Sequence, residues 1–312
     1  MGDRLYIGAC PGAFYSLDRH SGRIAWSHDT TLDGDPANFH GEVLSLGDLL
    51  VVGSDNASEA NLYAFDAKTG EIRWQLAEPG GFPASAVSVG SRIITIAMSG
   101  EVRALDSRSG ERLWSFGGSP GDKMLNSALA VVGTRVAATL RGEVALLDVA
   151  TGEPVWRREL DGAPNTTLAV VDNSIYVGER EGLIHRLALE DGRSLGSYQG
   201  ASPIYGALVP AGECLLALWG MDTLVCLDHR LEDVRWSRTV DSAWSSHRVL
   251  VHDDLVVAGT EEGQIHGMDV ETGAPRWIVE VEGPIKGLST DGDVLYIGTQ
   301  PGRLYALRLP GQ

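Results

Sequence analysis

Apolar and polar residues alternate along this chain in short runs broken by glycine, serine, asparagine and aspartate. Alternation with a period of two describes half-buried β-strands. Residues 85–116 show one full unit: strands A (Ala86–Val89), B (Arg92–Ala97), C (Glu101–Leu105) and D (Arg112–Phe116), with Gly90-Ser91 and Ser99-Gly100 as turns. Four short strands in about 40 residues predict a β-propeller blade.

The unit recurs. Residues 5–26, 62–74, 102–114, 144–156 and 265–277 share the pattern apolar-x-apolar-Asp-x-x-Thr/Ser-Gly-x-x-x-Trp. A sixth copy, 224–236, keeps Asp228 and Trp236 but has Glu232 at the glycine position. A seventh, 184–196, keeps Gly192 but has Ala188 and Gly196 where Asp and Trp stand elsewhere. The motif ends step by 48, 40, 42, 40, 40 and 41 residues. Each part has a physical reason. Asp106 can accept backbone N–H groups across the C–D turn, Ser109 can add a hydroxyl bond, and Gly110 can take the positive φ that closes the turn. Trp114 then lies on strand D, where a flat ring can wedge between blades. Trp26, Trp74, Trp114, Trp156, Trp236 and Trp277 are thus expected to dock blades rather than bind a ligand.

The motif resembles the pyrroloquinoline-quinone (PQQ) repeat of quinoprotein alcohol dehydrogenases. It is equally similar to the scaffold lipoprotein of the bacterial outer-membrane β-barrel assembly machine. The resemblance covers essentially the whole chain. It implies an all-β propeller of four-stranded antiparallel blades, eight in number, forming a single domain over residues 1–312. The chain opens with strands B, C and D (5–28) and ends with A, B and C (285–309), so two of eight blades are incomplete. The alternative is seven blades with a surplus terminal hairpin.

Propellers commonly bind through loops at the channel mouth, and the segments entering strand A face it. There the copies align His40, Pro83, Asn126, Asn165, Tyr205, Ser246 and Ile285, followed by a column containing His247 and Lys286. These columns are polar and varied, while the next is uniformly apolar. The candidate ligand- or partner-binding residues are therefore His40, Asn126, Asn165, Tyr205, Trp244, His247 and Lys286. Trp244 and Trp219 are aromatics outside the repeat, and Phe39 and Phe82 are further candidates near the mouth. For a quinone enzyme, the resemblance implies a Ca²⁺ shell, an aromatic floor, basic groups and commonly two adjacent cysteines. Trp244, Lys286 and Arg248 can imitate the floor and basic groups, and Asn126, Asn165 and Glu42 the hard oxygen ligands. No adjacent cysteine pair exists, and most connections are too short to roof such a site.

Composition narrows the functions. The formal net charge is −17, which argues against nucleic-acid and anionic-membrane surfaces as partners. No apolar run reaches the ~18 residues of a membrane span. No signal peptide is visible, so the location reads as cytoplasmic, or as periplasmic or extracellular if a leader or upstream domain was removed. The three cysteines, Cys10, Cys214 and Cys226, are odd in number, follow no metal spacing and read as core residues. No HExxH, nucleophile elbow or phosphate-binding loop occurs. The chain therefore reads as a non-catalytic scaffold for a protein or peptide partner, with no catalytic residue, metal or cofactor assigned. A small-molecule sensor or PQQ-type dehydrogenase using the same mouth is the alternative.

Overall fold

This computed structural model describes the chain except residues 1, 10–11, 34–37, 40, 55–59, 120–127, 301 and 310–312, and describes residues 32–33, 60–61 and 246–248 by backbone only. The strands pair into eight antiparallel sheets, each built from consecutive strands. Two compact units, Met1–Asp161 and Gly162–Gln312, hold four sheets each.

In the first unit, sheet 1 comprises Arg4–Ala9, Ala13–Asp18 and Ile24–Asp29, and sheet 2 comprises Leu44–Leu46, Leu49–Gly53, Ala60–Asp66 and Ile72–Glu78. Sheet 3 comprises Val87–Val89, Arg92–Ile96, Glu101–Asp106 and Arg112–Gly117, within a residue of the spans expected from sequence. Sheet 4 comprises Leu129–Val132, Arg135–Leu140, Glu143–Asp148 and Pro154–Glu159. In the second unit, sheet 5 comprises Ala169–Val171, Ser174–Gly178, Leu183–Ala188 and Ser194–Gln199, and sheet 6 comprises Ile204–Ala211, Cys214–Trp219, Thr223–Asp228 and Val234–Thr239. Sheet 7 comprises Trp244–His252, Leu255–Thr260, Gln264–Asp269 and Pro275–Glu280; sheet 8 comprises Ile285–Asp291, Val294–Thr299 and Arg303–Arg308. Eight such sheets define an eight-bladed β-propeller and exclude the seven-blade alternative. The terminal hairpin carries its own third strand and is a sheet in its own right.

Burial explains the pattern within each blade. Strands B and C are covered on both faces, because alternate side chains point to opposite neighbours. In sheet 3, Ile93 and Leu105 join the core shared with sheet 2, whereas Ile94, Ile96, Val102 and Ala104 join the core shared with sheet 4. Strand D has one wet face, as the burial of Arg112–Gly117 shows by alternating exposed and half-buried residues.

The repeat motif performs three linked tasks. First, its aspartate builds the C–D turn: Asp106 Oδ1 accepts from the Arg108 and Ser109 amides at 3.0 Å each, and from Ser109 Oγ at 3.2 Å. Second, a bulge interrupts every C–D pairing just before the tryptophan position. In sheet 3, Leu105 faces Arg112 but Ala104 faces Trp114, leaving Leu113 as the extra residue. A bulge re-aims the next side chain. Third, the re-aimed ring docks on the following sheet. Trp114 Nε1 donates to the Val149 carbonyl at 2.9 Å, and the ring lies over Gly152, where a Cβ would stand 2.5 Å from it. Gly152 also has φ +77°, so it meets two demands that only glycine meets together. Trp26 docks likewise on Ala67 and Gly70, Trp74 on Ser107 and Gly110, and Trp236 on Val270 and Gly273. Trp156 is buried, and Trp277 packs with the core of sheets 7 and 8.

Two bulge residues extend this device. Arg73 reaches both Asp48 in the A–B turn and Asp66 in the C–D turn at 2.6 Å, and Arg276 does the same with Asp254 and Asp269. The Arg73 guanidinium holds the Asp66 carboxyl at about 2, and Arg276 does so for Asp269. These ties lie at the surface, where solvent screens them.

The cysteines need a correction. Cys214 and Cys226 are core residues as expected, but they also form a disulfide between neighbouring strands B and C of sheet 6. An odd count rules out complete pairing and says nothing about one bridge. Cys10 lies outside the described residues.

Removing one docking ring isolates its worth. Trp114→Ala is expected to cost roughly 3–5 kcal/mol in urea unfolding, as deletion of a packed aromatic does. A loss under about 1 kcal/mol would show that the ring does not hold sheets 3 and 4 together.

Candidate functional site

Sheets 5 and 6 are the exception to tryptophan docking, and they show what the interaction requires. Gly196 takes the tryptophan position of sheet 5. In the turn it meets, Leu231 is 4% exposed, packs in the core shared by sheets 5 and 6 and adopts φ +61°. The missing indole donor is replaced. Tyr176 Oη, from strand B of sheet 5, donates to the His229 carbonyl at 2.6 Å. His229 follows Asp228, so this is the carbonyl position that accepts an indole N–H in the other copies. Burial pushes the Tyr176 phenol pKa up, which keeps it a donor. The tyrosine was not singled out from sequence. Its signal was present, because Tyr6 occupies the same strand-B position and donates to the Ala67 carbonyl at 3.2 Å.

Short loops entering strand A and joining B to C form a continuous row along the second unit. Asn165 Nδ2 donates to the Ile204 carbonyl at 2.8 Å, and Gly220 N donates to Pro203 O at 2.8 Å. Trp244 N donates to Met221 O at 2.6 Å, and Glu261 N donates to Ala243 O at 2.9 Å. Lys286 Nζ then pairs with Glu261 at 2.7 Å. The row thus runs from Asn165 through Tyr205, Met221 and Trp244 to Lys286.

The candidate side chains occupy this row differently. Asn165 is buried and ties the start of sheet 6 to that of sheet 5. Tyr205 is half-buried, beside Ile204, where strand A of sheet 6 begins. Trp244 is 2% exposed, packs in the core of sheets 6 and 7, and meets His266 edge-on at 4.9 Å. Burial lowers the His266 pKa. Lys286 is exposed and ion-paired. His247 lies in the strand Trp244–His252, its side chain outside the described residues; His40 and Asn126 lie outside them altogether.

The other aromatics singled out belong to the core. Trp219 stacks on Tyr198 at 5.5 Å and covers Gly200. Phe39 and Phe82 are buried, and Phe82 packs on Gly53, where a Cβ would stand 2.3 Å from its carbonyl oxygen. Sequence reasoning overlooked Met221. It is 54% exposed at the centre of the row, next to Asp222. Among the described residues, no group of three or more His, Cys, Asp or Glu side chains is placed to hold a metal ion.

Sheets, turns and docking rings together define a PQQ-like repeat propeller. The family model described as "Outer membrane protein assembly factor BamB" matches residues 1–195 and 199–312, and the chain belongs to that family. It is 22% identical to the outer membrane protein assembly factor BamB of Moranella endobia (strain PCIT), over 97% of this chain and 82% of that protein. A shorter similarity, 29% over 86 residues, links it to the quinohemoprotein alcohol dehydrogenase ADH IIB of Pseudomonas putida; it covers 27% of this chain and 12% of that enzyme. Among solved structures, BamB from Moraxella catarrhalis superposes with a TM-score of 0.80 at 20% identity, covering 99% of this chain and 95% of that one.

The tyrosine substitute can be checked directly. Tyr176→Phe leaves the His229 carbonyl without its donor and is expected to cost about 1–3 kcal/mol in urea unfolding. Tyr6→Phe leaves Trp26 on the Ala67 carbonyl and is expected to cost under about 1 kcal/mol. Equal losses would show that the two carbonyls do not depend on their donors in this way.

Proposed function

We propose that this chain is a non-catalytic interaction scaffold and that a protein or peptide partner docks on the loop row of the second unit. Tyr205, Met221, His247 and Lys286 form the candidate contact set, and the buried Asn165 and Trp244 hold the row in place. His40 and Asn126 belong to the same aligned columns of the repeat. The observation that carries the reading is Met221, 54% exposed in a short loop whose backbone is anchored to Trp244. A flexible apolar side chain on a rigid polar row suits a polypeptide surface. Family membership supports the same reading, because its relatives are named as outer membrane protein assembly factors. The partner proposed here accordingly takes part in such assembly.

The proposed location is periplasmic rather than cytoplasmic. The Cys214–Cys226 disulfide supports it, since such bonds persist in oxidising compartments. Three cysteines with one bridge predict one titratable thiol in the denatured, unreduced protein and three after reduction. Three thiols without reductant would remove this support.

A photo-crosslinking residue at position 221 tests the scaffold. It is expected to capture a polypeptide, whereas the same residue at Thr272, in a C–D turn, does not. Met221→Asp is expected to weaken the captured partner about tenfold or more. Absence of any polypeptide adduct, or a quinone chromophore or stoichiometric calcium in the purified protein, would overturn the reading.

A further inference from the structure

Thioethers and thiols are readily oxidised side chains, and exposure decides which of them react. This fold sorts its sulfur atoms. Met98 and Met268 are buried. Cys214 and Cys226 are buried and already bonded to each other. Met221, 54% exposed, therefore carries the one exposed sulfur among the described residues. Met1, Cys10 and Met124 lie outside them.

The loop around Met221 is held so that the side chain stays in water. Gly220 N donates to Pro203 O at 2.8 Å, and Trp244 N donates to Met221 O at 2.6 Å, so connections on both sides pin it. Asp222 is held as well, because Thr223 Oγ1 donates to its Oδ1 at 2.9 Å. The neighbouring indoles, Trp219 and Trp244, are buried. An oxidant arriving from solution meets the Met221 thioether before either ring.

Charge narrows the class of oxidant. Asp222 stands beside the thioether on a chain of net charge −17, which repels anionic oxidants and leaves small neutral ones unhindered. Hydrogen peroxide and organic hydroperoxides belong to the neutral class.

We propose that Met221 is a modification site: small neutral peroxides convert it to methionine sulfoxide, and the modification releases the partner from the loop row. The sulfur attacks one peroxide oxygen. An S–O bond forms and the O–O bond breaks. Sulfur gives up two electrons, the peroxide is reduced, and the departing hydroxide takes the proton of the transferred hydroxyl to leave water. The product is polar and stiffer where docking uses a flexible apolar side chain. Reversal needs a thiol-dependent reduction, in which two thiols become a disulfide and the oxygen leaves as water. This inference rests on the scaffold reading above and adds regulation to the same site.

One test needs no partner. The folded full chain is treated with hydrogen peroxide, quenched and digested, and its peptides are weighed. The peptide holding Met221 is expected to gain one oxygen about tenfold or more faster than those holding Met98 and Met268. Equal rates would overturn the proposal. A second test reads docking, through a photo-crosslinking residue at Tyr205 in the same row. Peroxide is expected to lower capture of the polypeptide by the wild-type row about tenfold, and a methionine sulfoxide reductase to restore it. Met221→Leu, apolar but inert to peroxide, is expected to keep its capture throughout. Capture that survives complete oxidation of Met221, or Met221→Leu losing capture to peroxide as the wild-type row does, would overturn the switch and leave the scaffold standing. No capture before peroxide treatment would remove both.

Discussion

One contact carries the architecture within each unit: a tryptophan indole that donates to a turn carbonyl of the next sheet while its ring lies flat on a glycine. The propeller's sheets are small, and none can cover both of its own faces. Stability therefore comes from the sheet-to-sheet interfaces, as in other repeat proteins. Where it occurs, the docking ring projects from strand D, at the rim of its sheet, and ties that strand to the C–D turn of the next sheet. The aspartate turn and the bulge serve that contact. The turn presents the carbonyl and the glycine, and the bulge swings the tryptophan onto the face that meets them.

The pair Gly196 and Leu231 shows that the contact is a requirement on volume and on hydrogen bonding, met separately. Leu231 adds buried apolar volume to the same interface, and Tyr176 restores the donor from a different strand. The carbonyl after Asp228 thus stays satisfied although the aromatic motif residue is missing. A buried carbonyl without a donor is costly whatever the ring's fate, which explains why both replacements occur at the same interface.

Such a rim leaves the loop row comparatively free. Its residues need only connect strands and keep their backbone groups paired, and they do so with bonds such as Trp244 to Met221 and Asn165 to Ile204. Variation tolerated there is what lets one propeller frame serve different partners.

Periodicity alone determined the strands, their grouping into four-stranded units and the docking role of the tryptophans, because a period of two and a step of about forty residues are properties of the linear chain. The incomplete first and last sheets were legible for the same reason. The number eight came from the family resemblance, and the third strand of the terminal hairpin decided it against seven. Other features depended on neighbours distant in sequence. Trp244, Trp219 and Phe82 look like free aromatics in the sequence, yet the structure buries them against residues the repeat does not mark. Asn165 reads as a polar residue for a ligand, but its amide is bound to the Ile204 carbonyl 39 residues away. Met221 is an ordinary methionine until the fold leaves it exposed beside Trp244. The Cys214–Cys226 bridge likewise needed strands B and C of one sheet to be set in register. Sequence pattern determines which face of a strand is apolar; only tertiary packing decides what meets that face, and so which polar group is already satisfied and which remains to bind.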